Sequence, residues 1–247
     1  MDFTLDKYSE LLDAFSAYGS KRVTLRHDVD LRPENSLETA RIEAGKGWKA
    51  TYYFRAVPES WNEVIIKQIS ELGHEIGYHY ECLTTTDGDI DKAWEDFKTN
   101  LSRLSDLLGK PVRSICMHGS PRSPFDSRDI WKKYDYRKVG VEHESYLDTD
   151  FSKVFYLTDT GRRWDGYKVS VRDKIPQYQD KWTFQGLVFH STDDVMEGLR
   201  LGKISSDVLV TTHPQRWNRP GPAWFKEFFA QNVKNIIKKM LIIKKNI

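Results

Sequence analysis

The chain has 247 residues, 38 basic and 36 acidic side chains, a net charge of +2 and 39% hydrophobic residues, the balance of a globular chain that can bury a core. No apolar run approaches the ~20 residues that cross a bilayer, no tract is of low complexity, and Cys82 and Cys116 stand far apart without CxxC spacing, which excludes a disulfide scaffold and a zinc ribbon. Bulk charge is too small to argue for nucleic acid, and the start, Met-Asp-Phe-Thr-Leu-Asp, lacks the basic and apolar regions of a secretory signal, so a cytoplasmic protein is expected.

Leu5, Tyr8, Leu11, Leu12 and Phe15 recur at helical spacing, with Gly19 as the C-cap. Arg22 to Asp30 (RVTLRHDVD) reads as a strand. Pro33 opens a helix through Leu37, Ala40 and Ala44, ended by Gly45 and Gly47. A β-rich stretch, Trp48 to Phe54, precedes an amphipathic helix over Trp61 to Leu72 that Gly73 caps. His74 to Tyr80 is a third strand, Ile90 to Leu108 a long helix closed by Gly109 and Pro111, and Val112 to Met117 a fourth strand. Later strands are expected at Lys138–Val141, Val154–Leu157 and Asp207–Thr211, with a helix over Asp193–Leu201 capped by Thr192. Such β-α repetition implies a parallel sheet with helical crossovers, a closed or nearly closed barrel forming one domain.

The positive charge is concentrated at the C-terminal end. From Lys226 to Ile247 there are six lysines and one glutamate. Phe225, Phe228, Phe229, Val233, Ile236, Ile237, Met240 and Ile243 fall on one helical stripe of this segment (222–247). The stripe reads either as a final helix packed on the barrel or as a basic amphipathic helix for an anionic membrane or a partner.

Strand side chains alternate, so parity assigns faces. In the first strand Val23, Leu25, His27 and Val29 share the apolar face, and Arg26, Asp28 and Asp30 share the other. Two carboxylates at that spacing in a buried site require a cation, which Arg26 or a metal supplies; the bland alternative is a solvated strand end. In the third strand Glu75, Gly77, His79 and Glu81 share one face, while His74, on the opposite face, reads as a hydrogen-bonded structural histidine. His118 follows the fourth strand and His213 ends the last. Four strands thus end in Asp or His, and in parallel β/α barrels C-terminal strand ends converge on one site. Imidazole with carboxylate suits zinc, iron, cobalt or nickel better than calcium.

The ordered set RHDVD, GHEIGYHYE, HGSP and LVTTHPQRW resembles the polysaccharide deacetylase (NodB-homology, carbohydrate esterase family four) superfamily over about Val23 to Trp217, and within it the WbmS-like branch found with bacterial O-antigen and capsule genes. The resemblance implies a distorted (β/α)7 barrel that removes N-acetyl groups from sugars with one divalent metal, Zn2+ foremost and Co2+, Ni2+ or Fe2+ otherwise. Carried over, it implies Asp28 as catalytic base, Asp30 and His79 as metal ligands and His213 as general acid. The family's second metal histidine matches Leu83, which cannot ligate; His118 or Glu81 is left to complete the set, and His118 is preferred. Arg26, Arg163, Trp164 and Trp217 are candidates for binding the sugar and any phosphate or carboxylate on it, with core filling the alternative for both tryptophans. The implied partner is an acetylated sugar (free, lipid-linked or nucleotide-linked), with peripheral inner-membrane contact through the basic tail. The competing readings are an inactive barrel that binds a glycan and a hydrolase of another linear amide.

Overall fold

A computed structural model describes residues 1–120, 123–164, 170 and 173–245, the side chains of Lys21 and of 237–245 excepted. In chain order the elements are α1 (Leu5–Gly19), β1 (Val23–Val29), α2 (Pro33–Gly45), β2 (Ala50–Phe54), α3 (Glu63–Glu71), β3 (Glu75–Tyr80), the short α4 (Cys82–Thr85), α5 (Ile90–Leu108), β4 (Ser114–Met117), β5 (His143–Glu144), β6 (Val154–Thr158), α6 (Pro176–Phe184), α7 (Thr192–Arg200), β7 (Asp207–Thr212) and α8 (Pro222–Lys245). The seven strands form one parallel sheet, ordered β5-β4-β3-β2-β1-β7-β6. It curls into a half-barrel left open between β5 and β6, with helices around it, which matches the expected distorted barrel. β1 lies inside the order, between β2 and β7, so its C-terminal end is flanked by those of the other strands.

Local chemistry explains where elements start and stop. Thr4, Asn62, Asp89 and Ser191 cap α1, α3, α5 and α7 with side-chain oxygens. The cap of α7 is therefore Ser191 and not Thr192, whose hydroxyl instead accepts from the Trp164 indole at 3.0 Å and donates to Asp2. The expected strand Lys138–Val141 is a 3-10 turn over Tyr136–Val139, because the Asp135 side chain captures the Arg137 amide and Gly140, at φ +83°, ends the turn; pairing is deferred to β5. Helix α6 is absent from the sequence reading; it begins on Pro176 and packs the Trp182 ring edge-on to Phe155 of β6.

The parity of β1 holds. His27 points outward into the helical layer, fully buried, with Nε2 2.6 Å from Glu43 Oε1 of α2 and Nδ1 2.6 Å from the Thr212 hydroxyl of β7. Glu43 also accepts from the Tyr8 and Tyr52 hydroxyls, so one buried carboxylate ties α1, α2, β1 and β2 together. Burial pushes its pKa up, but His27 and the two tyrosines outweigh that and hold it below the ordinary 4.5. A depressed carboxylate stabilises the fold above its unfolded pKa and loses that contribution as pH falls through the folded value. Glu43→Ala strands three buried donors and is expected to cost about 3–5 kcal/mol in urea denaturation at neutral pH, a penalty that shrinks as the pH is taken below the ordinary glutamate range.

The C-terminal segment is helical from Pro222, but its apolar stripe does not pack on the barrel. Phe225, Phe228, Phe229, Val233 and Ile236 are exposed, and the face turned to the body carries Trp224, Glu227, Gln231 and Asn235. The stripe positions Ile237, Met240 and Ile243 fall among the side chains outside the described residues. Among the described residues, no helix is long and apolar enough to cross a membrane.

Candidate metal centre

The site is built at the C-terminal ends of the central strands. Arg26 and Asp28 of β1 face the barrel interior, nearly inaccessible to solvent. The guanidinium clamps the carboxylate with two bonds, Nε to Oδ1 at 2.8 Å and Nη2 to Oδ2 at 2.6 Å. Its remaining donors reach Ser145 Oγ and the Tyr146 hydroxyl, both at 3.1 Å, in the segment that follows β5, so this pair also bridges toward the open side of the barrel.

Asp30 sits two residues beyond, on the same face. Its Oδ1 lies 3.6 Å from His79 Nε2 and 3.4 Å from His118 Nε2, and its Oδ2 lies 3.9 Å from His213 Nε2. One donor atom from each of Asp30, His79 and His118 falls within 4.8 Å of the others. Both imidazoles are turned to offer Nε2. His79 Nδ1 donates to the Cys116 carbonyl at 3.0 Å, and His118 Nδ1 donates to Glu81 Oε2 at 2.9 Å. Glu81 is in turn gripped by Arg55, which also donates to the Asp30 carbonyl at 3.0 Å. A histidine whose far nitrogen donates to a carbonyl or carboxylate is an oriented, basic ligand.

Three of the site's carboxylates already have a guanidinium: Asp28 has Arg26, Glu81 has Arg55, and Asp159 has Arg216. Asp30 has no such partner among the described residues. Its Oδ1 is buried without a hydrogen-bond partner, while Oδ2 accepts from Gln215 at 3.2 Å. Burial raises the Asp30 pKa, yet the three imidazoles around it outweigh burial and keep the carboxyl well below its usual range. An orphaned, ionised oxygen facing two Nε2 lone pairs fits a divalent cation, and the mixed imidazole and carboxylate set fits zinc or a neighbouring transition metal. A second cluster, Asp28, His79 and Cys116, lies as close. It is the poorer site: Arg26 occupies both Asp28 oxygens, and burial holds the Cys116 thiol well above its usual pKa, hence protonated.

Leu83 cannot join either set, since it is buried in α4 as part of the apolar core, 3% exposed. His118, from the neighbouring strand end, supplies the third donor instead. Glu81→Gln is expected to weaken zinc binding by about 10–100-fold, measured by chelator competition, because a neutral amide no longer polarises His118.

His213 follows β7 with its ring buried. Nδ1 donates to Asp159 Oδ1 at 2.6 Å, and its backbone amide donates to Oδ2 at 3.0 Å. Arg216 and the Trp217 indole complete the carboxylate's shell at 2.6 and 2.9 Å. Burial and Arg216 lower the His213 pKa, but Asp159 and Asp30 prevail and raise it above the ordinary 6.5. Asp173, half-buried and hydrogen-bonded to Thr158, Thr160, Tyr146 and Tyr156, adds a further negative charge; desolvation would raise its pKa, but His213, Arg26 and the hydroxyls hold it at about 2.

Asp28, Asp30, His79, His118 and His213 are thus brought together, and the other four candidates are placed differently. Trp217 is fully buried and Trp164 nearly so, so neither can stack on a sugar; they pack with Phe3, and Trp217 holds Asp159. Arg26 spends its donors inside the protein and orients Asp28, with no fork left for substrate. Arg163 lies against His190 at 3.3 Å, partly exposed. Asp159 is missing from the sequence reading. It directly follows β6 as Asp30 follows β1, so the strand-end rule applied to Thr158-Asp159-Thr160 finds it.

No protein-family model and no curated protein matches the sequence. Among solved structures, a CE4-family pseudoenzyme from Bacillus anthracis is similar at 15% identity and a TM-score of 0.43, over 87% of this chain and 60% of its own. PdaA of Bacillus subtilis, a family 4 carbohydrate esterase, is similar at 11% and 0.43, over 91% and 83%. A family 4 acetyl xylan esterase from Clostridium thermocellum, in complex with a cobalt ion, stands at 14% and 0.40, over 88% and 84%. The chain spans about three fifths of the length of the first of these.

Proposed function

We propose that this chain is a metal-dependent hydrolase that removes the acetyl group from an N-acetylated sugar, acting at the cytoplasmic side on a precursor of a bacterial surface polysaccharide of the O-antigen or capsule kind. The observation that carries the chemistry is the meeting of Asp30, His79 and His118 within 4.8 Å, beside an Arg-clamped Asp28 and an Asp-backed His213. The sugar and the biosynthetic setting rest on the resemblance of HDVD, HEIGYH and TTHPQRW to the deacetylase superfamily and its WbmS-like branch.

Asp30, His79 and His118 would hold a divalent cation, Zn2+ foremost, which would supply Lewis acidity toward the acetamide carbonyl and the attacking water. Asp28 is fixed by Arg26 in a single orientation and keeps lone pairs free to take a proton from the attacking water. His213, protonated and stabilised by Asp159, gives a proton to the departing sugar nitrogen, which cannot leave as an amide anion. Products are acetate and an amino sugar. Positions already charged and hydrogen-bonded before substrate arrives need no reorganisation during the reaction.

The test is acetate release from free, nucleotide-linked and lipid-linked N-acetylated sugars, with zinc present and after chelation. Release that vanishes with chelator and returns with metal supports the proposal. Stoichiometric metal with no acetate from any sugar overturns it in favour of a glycan-binding barrel, and acetate or another acid from non-sugar amides alone overturns the sugar.

A further inference from the structure

The last helix is built inside out. Along α8 the side turned to the body is polar: Glu227, Gln231 and Asn235 are each under 9% exposed. They are tied down, with Glu227 3.7 Å from Arg32, Gln231 donating to Asn235 Oδ1 at 2.8 Å, and Asn235 donating to the Gly161 carbonyl at 2.9 Å. Trp224, on the same side, donates to the Asp2 carbonyl at 2.8 Å and carries the Arg162 guanidinium over its ring. The opposite side leaves Phe225, Phe228, Phe229, Val233 and Ile236 between 38% and 64% exposed. The hydrophobic effect acting on the chain alone would turn this helix over. Other large exposed apolar residues, such as Val64, Leu147 and Leu201, come from separate elements, whereas these five form one stripe.

The charge of the segment says what meets the stripe. Lys226 and Lys234 are exposed on the helix, and Lys238, Lys239, Lys244 and Lys245 follow in the sequence against the single Glu227, a net +5 from Lys226 to Ile247. Two copies docking stripe to stripe would bring like charges together, whereas a surface of anionic lipid attracts the lysines and takes up the phenylalanines. We propose that α8 lies in the interface of an anionic bilayer with Phe225, Phe229, Val233 and Ile236 inserted, and its polar side anchoring the barrel to the membrane. Since α8 is held through Arg32 and Gly161, close in sequence to Asp30 and Asp159, this seating keeps the metal centre near the lipid surface. That last point rests on the hydrolase reading; the membrane contact does not.

The experiment is co-sedimentation of the full chain with vesicles of phosphatidylcholine alone and of phosphatidylcholine with phosphatidylglycerol. Binding is expected only with the anionic lipid and to weaken with added salt. Phe229→Ser with Val233→Ser, and separately Lys226→Glu with Lys234→Glu, should each lower the partition by about tenfold or more, since each lysine near such a surface contributes about fivefold. All four side chains are exposed, so the thermal melt by circular dichroism and acetate release from a soluble substrate should match the parent chain. If one variant melts early, the other carries the comparison. Absence of binding to anionic vesicles, or binding by both variants equal to that of the parent, overturns the proposal. A dimer that Phe229→Ser with Val233→Ser dissociates, without vesicle binding, overturns it in favour of a second copy. Absence of acetate release by the parent chain, with its membrane binding intact, would overturn only the hydrolase reading.

Discussion

Asp28→Asn is expected to lower acetate release by about 10²–10⁴-fold, the usual worth of a positioned base, while the purified protein still takes up one zinc. The two halves of this expectation come from different contacts. Asp28 gives both oxygens to Arg26 and, though 3.8 Å from His79 Nε2, is not a member of the Asp30, His79 and His118 set, which the substitution leaves in place. Turnover falls because an amide has no basic lone pair for the water's proton. The substitution has a second consequence. Arg26 is buried and permanently charged, and a neutral amide beside it leaves that charge without its counter-ion, at a cost of about 3–5 kcal/mol in stability. Rates are therefore to be compared well below the lowered melting temperature, with zinc content measured on the same sample. A folded, zinc-loaded Asp28→Asn protein that keeps its rate would remove Asp28 from the base role, and one that folds but no longer holds zinc would move Asp28 into the ligand set with Cys116.

Which parts of this site were legible follows from how far each residue's role depends on the strand that carries it. The period of two is a property of the strand itself, so the division of Arg26, Asp28 and Asp30 to one face and His27 to the other, and His74 as structural, could be read from RVTLRHDVD and HEIGYHY; which face looks into the barrel could not. His74 indeed accepts from the Ala50 amide at 3.2 Å and donates to the Ala40 carbonyl at 3.0 Å. The convergence of strand ends follows from parallel topology and needs no distances. What could not be read depends on curvature and on which layer lies above. Trp217 and Trp164 follow or precede chemistry-bearing residues, but whether an indole there meets a ligand or the N-terminal Phe3 is settled by where residues 1 to 8 are laid, far away in sequence. The stripe on α8 has the period of a packed helix, and period alone cannot distinguish a stripe turned to the core from one turned away. Glu227, Gln231 and Asn235 make the difference, through partners in Arg32 and Gly161.

Asp159→Asn is expected to shift the alkaline limb of the rate profile to lower pH, with a loss near neutrality of about 10²-fold or more that shrinks as the solution is made more acidic. In the proposed mechanism the working form of His213 is the imidazolium, so activity is expected to fall as pH rises through its pKa, and a raised pKa extends the active range upward. Asp159 is the group that raises it against burial and Arg216. With asparagine, the nearest counter-charge disappears while burial and the Arg216 guanidinium, 2.7 Å from His213 Nδ1, still act downward, opposed by Asp30 and the more distant Asp173. Hydrogen bonding suffers too. Oδ1 and Oδ2 together accept from His213, Arg216, Trp217 and a backbone amide, and an amide group presents donors where one of these oxygens stood, leaving buried donors facing donors. That costs about 1–3 kcal/mol in stability. A purely structural defect would lower the rate by the same factor at every pH, whereas loss of proton delivery moves the limb and is relieved by acid. Full rate profiles of the zinc-loaded parent and variant decide between them: an unmoved limb would leave Asp159 a packing residue and deny His213 the role of acid.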